Sequence, residues 1–305
     1  MKKNYGSRLF AALVAALTVM VFSMASVLAA PDANGMDWSD NSITVIGMGA
    51  PPANARNAAQ ARMMARRAAV VDGYRQLAEV VKGVNVDSES TVENFMVTSD
   101  ITRTKVNALV QGAQVIREQA TSDGGYEVTM KISMFGVSNS LAEAVLPRNV
   151  EHESFPEPVQ SVAPSMPAYD SSASVSVRID VTANASAAAP APNNNAIGGY
   201  TGLVVDCRGL GLKPVMSPVI KNASGEKIYG HKNIDPDFVI AHGMASYTSD
   251  VNKVSRAGSN PLVVKAVSLE DHNGNPVISV ADANRVLIEN KTAGFLEKTN
   301  VVFIR

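Results

Sequence analysis

The chain has 305 residues, 46% apolar and 18% charged, a globular composition that excludes wholesale disorder or a collagen-like repeat. Aromatic residues make up only 5%, with Trp38 the single tryptophan, so the core must be mostly aliphatic and a stacking platform for nucleic-acid bases has few rings to use. The formal net charge of -1 lacks the surplus of Lys and Arg that phosphate binding requires, which argues against a nucleic-acid partner.

In chain order, Lys2, Lys3 and Arg8 precede an apolar run from Leu9 to Phe22 and small residues ending Ser26-Val27-Leu28-Ala29-Ala30. This is the order of a secretory signal peptide, with cleavage expected after Ala29. Removing its three basic residues from 27 leaves 24 against 28 acidic ones, so the exported chain carries about -4. No later stretch reaches the roughly 18 apolar residues of a membrane span. Cys207 is the only cysteine, which rules out an intramolecular disulfide and a lipid-bearing cysteine at the cleavage point. The expected location is the periplasm or cell envelope, without a lipid anchor.

The sequence predicts two small α+β domains, 38–148 and 197–305, each a mostly antiparallel sheet with packed helices. Between them, 149–196 reads as a Pro/Ala/Ser-rich linker; seven of the fifteen prolines fall between 147 and 192. One island, Ser174 to Thr182, alternates apolar and polar residues like a half-buried strand.

In the first domain, Ile43 to Gly47 reads as a strand and Asn54 to Lys82 as a long helix closed by Gly83. Met63, Val70, Tyr74, Leu77 and Val81 form its apolar stripe at 100° per residue. Arg67 falls on that stripe, where an unpaired charge is costly, so it is expected to find a carboxylate such as Asp87, Glu89 or Glu118. Val84 to Asp87 reads as a short strand, and Ser88 to Thr104 gives no clear pattern. Asp123-Gly124-Gly125 turns a hairpin between Ala113–Gln119 and Tyr126–Met134. In its second strand Tyr126, Val128, Met130, Ile132 and Met134 share one face, and Ser138 to Val145 closes the domain as a short helix.

The second domain opens with the continuous apolar run Thr201 to Cys207, a buried type of strand. Hairpins are predicted at Asn222-Ala223-Ser224-Gly225 and at Asp271-His272-Asn273-Gly274. Ala281 to Asn290 is helical, and Asn300 to Ile304 is a final strand. Asp206 and Arg208 flank Cys207 on one side of their strand and are expected to bond neighbouring loops.

Each chemical motif has a plainer reading. Gly47-x-Gly49 before a helix lacks the third glycine of a dinucleotide site, with Pro52 in its place. Gly209-x-Gly211 is followed by Pro214. Cys207 with His231 or His242 as base is outweighed by a small core residue in an apolar strand. The four histidines lack close metal-ligand spacing, and the Asp271 turn lacks the closing acid of a calcium loop. The basic run Arg56, Arg62, Arg66 and Arg67 reads as a solvated helix face rather than a site for anionic lipid or glycan. No catalytic residue, cofactor or metal is expected.

Gly47-x-Gly49, the run Gln60 to Glu79 with Ala65-Arg66-Arg67-Ala68-Ala69 and Asp72-Gly73-Tyr74-Arg75, Gly83, Gly112-Ala113 and the Asp123–Val128 hairpin together resemble the Lpp-twenty lipoprotein family. The match covers about 45–135 and is also similar to the N-terminal domain of flagellar assembly protein T. The resemblance implies a non-enzymatic α/β domain with an assembly or surface role, and it puts Arg67, Asp72 and Tyr74 among structural or interaction candidates, beside Asp206 and Arg208. The missing lipid-bearing cysteine departs from the family. The expected function is an envelope scaffold or assembly factor, with a flagellar role as its subordinate form, whose partners are other envelope proteins or further copies of itself, with peripheral envelope association. The alternative is a periplasmic binding module for a glycan or small ligand, placed at the Asp206–Arg208 strand end.

Overall fold

The computed structural model describes residues 35–158 and 195–305. The leader and the Ser174–Thr182 island lie outside them. The fold is α+β, built on two sheets.

The first half runs β1 (Gly35–Asp37), β2 (Ser42–Gly49), α1 (Ala58–Lys82), α2 (Val92–Thr98), α3 (Asp100–Gln111), β3 (Gln114–Ala120), β4 (Tyr126–Ser133) and α4 (Leu141–Val145). Its sheet, in the order β1-β2-β4-β3, is wholly antiparallel. Asn57 starts α1 by accepting the Gln60 N–H at 2.8 Å, and Gly83 ends it. Val128, Met130, Ile132 and Met134 face the core together, as their alternation requires. The region without a clear pattern holds α2 and α3, and both carry caps. Thr91 and Asn94 form a capping box, and Ser99 accepts the Thr102 N–H.

The second half runs β5 (Gly202–Asp206), β6 (Ile220–Asn222), β7 (Lys227–Tyr229), a 3-10 turn (His231–Asn233), α5 (Pro236–His242), β8 (Ser246–Thr248), a second 3-10 turn (Ser255–Ala257), β9 (Pro261–Glu270), β10 (Asn275–Ile278), α6 (Val280–Ala293) and β11 (Val301–Ile304). The sheet order is β7-β6-β10-β9-β5-β11-β8. Both expected hairpins are antiparallel, but the centre differs from the antiparallel expectation: β9, β5, β11 and β8 pair in parallel. Parallel neighbours need long connections and leave no local turn signal, whereas hairpins announce themselves.

One aliphatic core runs through both halves. Trp38 meets Tyr247 edge-on at 5.4 Å, and the Gly136 N–H donates to the Ile240 carbonyl at 2.8 Å. The Met216 and Ser217 N–H groups donate to the carbonyls of Asn85 and Val86 at 3.0 and 2.8 Å. Residues 149–158, expected within the linker, are tied to the second half, where the Glu153 N–H donates to the Lys232 carbonyl and Lys291 pairs with Glu157. Beyond 194 the chain is held by Glu289, fully buried, which accepts the N–H groups of Ile197 and Gly198 at 2.8 and 2.9 Å and pairs with Arg285 at 2.7 Å.

Candidate functional site

Gly47-x-Gly49 lies within strand β2 rather than in a turn. A Cβ on Gly47 would stand 2.1 Å from the Ala69 carbonyl oxygen, and one on Gly49 2.0 Å from that of Ala65. These glycines let α1 rest on the strand backbone, and the buried line of the helix is accordingly Ala65, Ala69, Gly73, Leu77 and Val81. The expected stripe was correct at Leu77 and Val81; Met63 is 69% exposed and Tyr74 only partly buried. Hydrophobicity favours the large residues, but so close an approach admits only small ones.

That shift corrects the expectation for Arg67, which is exposed and needs no carboxylate to offset burial. Its neighbour Arg66 takes Glu118 instead, through two bonds of 2.7 and 2.5 Å. Asp72 clamps the strand to the helix: it accepts the Met48 N–H at 3.0 Å and bonds from Arg75 and Gln76 at 2.7 Å. Partial burial works against its ionisation, but these donors outweigh it and hold the carboxyl below its usual range. The Tyr74 hydroxyl donates to the Gln111 carbonyl at 3.3 Å, tying α1 to the end of α3.

Asp206 and Arg208 close on each other at 2.7 Å rather than on neighbouring loops. The Arg208 side-chain bond holds the Asp206 carboxyl below its usual range. Cys207 between them is fully buried, and desolvation pushes its thiol up to about 12, which suits a core residue and not a nucleophile. His242 stacks on Phe238 with ring centres 4.2 Å apart. Among the described residues no cluster of His, Cys, Asp or Glu is arranged to hold a metal ion. Asp271, first residue of the calcium-like turn, is bound by Lys221 at 2.7 Å and Asn275 at 2.8 Å. Arg62, Arg66 and Arg67 stand on an exposed face of α1 as expected, whereas Arg56, also exposed, lies before the helix begins.

Nothing in the sequence pointed to an apolar cleft of about 140 Å³ at the seam between the halves. Val86 and Asp87 reach it from the loop after α1, Phe95 from α2, and Leu146, Pro147 and Val150 from the segment after α4. The second half contributes Ser217, His231, Pro236 and Val239. Asp87 Oδ1 accepts the N–H groups of Glu89 and Ser90 at 2.8 and 2.7 Å, which fixes its loop. Burial first, then the charges of Lys232 and Lys227, hold the His231 imidazole below its usual value, against the opposing pull of Asp87 and Glu153. His231 is therefore neutral at pH 7. The one local signal was Asp235-Pro236, an N-cap with proline at the first helical position, which marks the start of α5. Nothing local indicated that this helix faces Val86 and Phe95.

Residues 202–305, which contain the whole seven-stranded sheet, match the family model described as Treponema pallidum Tp0624, second domain. A search of the curated proteins found no match.

Proposed function

We propose that the protein is an exported, non-enzymatic scaffold or assembly factor of the bacterial envelope, working through contacts with other envelope proteins or further copies of itself. The observation that carries this reading is strand β3. It forms an edge of the first sheet and every one of its residues is exposed, with Val115 and Ile116 at 41% and 50%. An edge strand presents unpaired backbone donors and acceptors, and proteins that must stay unpaired usually shield such an edge or break its apolar surface with charge. Here Arg117, Glu118 and a bulge between Val115 and Arg117 interrupt the edge, but the exposed apolar pair Val115 and Ile116 still offers apolar contact beside unpaired backbone. The leader, the acidic mature charge and the resemblance of 45–135 to an envelope family support the location. No helix among the described residues is long and apolar enough to cross a membrane.

The test is a photoreactive residue at Ile116, with a control at the exposed turn residue Ala223. In intact cells the first should give discrete protein adducts and the second none. Equal adducts at both positions, or none at Ile116, would sink the reading. The flagellar form of the proposal further expects that deletion lowers motility or flagellar number; unchanged values of both would remove it.

A further inference from the structure

The seam cleft goes beyond the scaffold reading and does not depend on it. We propose that it binds a small free ligand of the phenol class, one ring-sized apolar body carrying a single hydrogen-bond donor.

Size sets the body. A volume of about 140 Å³ is close to the roughly 150 Å³ apolar cavity that admits benzene, so one ring fills it. Phe95, Leu146, Pro147, Pro236, Val86 and Val239 supply walls without charge, which favour an apolar occupant. The polar groups set the head. Ser217 spends its hydroxyl hydrogen on Met244 Sδ at 3.5 Å and so presents lone pairs. The Asp87 carboxylate can only accept, and the neutral His231 ring can do either. This set rewards a donor and repels a carboxylate. Two backbone N–H groups already bond Asp87, which tempers its charge, so a neutral hydroxyl suits it better than an ammonium.

The cleft is also held in shape before any ligand arrives. The Ser217 N–H to Val86 carbonyl bond joins its two sides at 2.8 Å, and the 3-10 turn carrying His231 is fastened through Lys232 to the Glu153 backbone at 2.8 Å. A preformed site loses little binding energy to reorganisation.

The experiment is a titration of the purified protein with p-cresol, toluene and 4-methylbenzoate, followed by amide NMR shifts. p-Cresol should saturate and move resonances around Val86, Ser217 and His231, toluene should bind about tenfold more weakly for want of one hydrogen bond, and the benzoate should not saturate. Asp87→Asn keeps the turn-forming side-chain oxygen and should weaken p-cresol about tenfold while leaving toluene unchanged. Val150→Trp, at a partly exposed position lining the cleft, should block both. Absence of saturable p-cresol binding, binding that survives Val150→Trp, or equal affinity for toluene would overturn the proposal. A short tyrosine peptide that binds more tightly than p-cresol would overturn the free-ligand assignment and give the cleft to a partner's side chain.

Discussion

Replacing Gly47 with alanine should separate α1 from β2. The new Cβ would lie 2.1 Å from the Ala69 oxygen and 2.5 Å from the Gly73 nitrogen, both backbone atoms that cannot rotate away. Carbon and oxygen rest at about 3.3 Å, so the helix must retreat by roughly 1.2 Å. A gap of about 1 Å already forfeits up to roughly half of a van der Waals contact, and Leu77 and Val81 are fully buried side chains worth about 1.5–3 kcal/mol each. Losing about half of those two, together with part of the Ala65 and Ala69 contacts, gives a destabilisation of about 3 kcal/mol. In urea unfolding that is a midpoint shift of about 1 M or more. Gly83→Ala is the control: its backbone φ is -79° and its new Cβ would meet nothing nearer than 3.6 Å. It should stabilise by about 0.4–1 kcal/mol through the unfolded chain. If Gly47→Ala stayed within about 0.5 kcal/mol of wild type, close backbone approach would not be what that glycine is for.

Glu289→Ala should cost about 3–5 kcal/mol, because it strands the Arg285 guanidinium and two N–H groups at once; protection of the Ile197 and Gly198 amides from hydrogen exchange should fall with it, and an unchanged urea midpoint would count against the role. Cys207 should resist maleimide at pH 8 in the folded protein and react once unfolded, since burial pushes its thiol up to about 12; native labelling at the rate of a free thiol would refute this. Asp271 is held below its ordinary value of 3.8, chiefly by the Lys221 bond and then by Asn275. A depressed carboxyl stabilises the fold above its unfolded value, and that contribution is lost as pH falls through the folded one. Below about pH 4, Asp271→Asn should therefore lose less stability on acidification than wild type, measured as urea midpoint against pH; parallel curves would refute the assignment.

Local chemistry was legible in the residues. Alternation through Val128, Met130 and Ile132 set the inward face of β4, and the glycine turns at Gly124 and Gly225, both at positive φ, placed two hairpins. The α+β class followed from those periods. What the sequence could not rank was the face of α1, because periodicity weighs hydrophobic size while packing on Gly47 and Gly49 selects the small residues Ala65, Ala69 and Gly73. Arg67 was misplaced by the same shift.

By itself, then, the sequence left α2 and α5 unread and took the loop Val84–Asp87 for a strand, but it determined α1, β2, β4, β5, β11 and the hairpins. These rest on short-range effects, carried by dihedral preferences and by bonds that span a few residues. Only the tertiary structure decided the parallel pairing of β5 with β9 and β11 and the cleft that sets Val86 and Phe95 against His231 and Val239. Such contacts join residues far apart in the chain, and their partners are chosen by shape and burial across the shared core, which leaves no period or turn to read along the sequence.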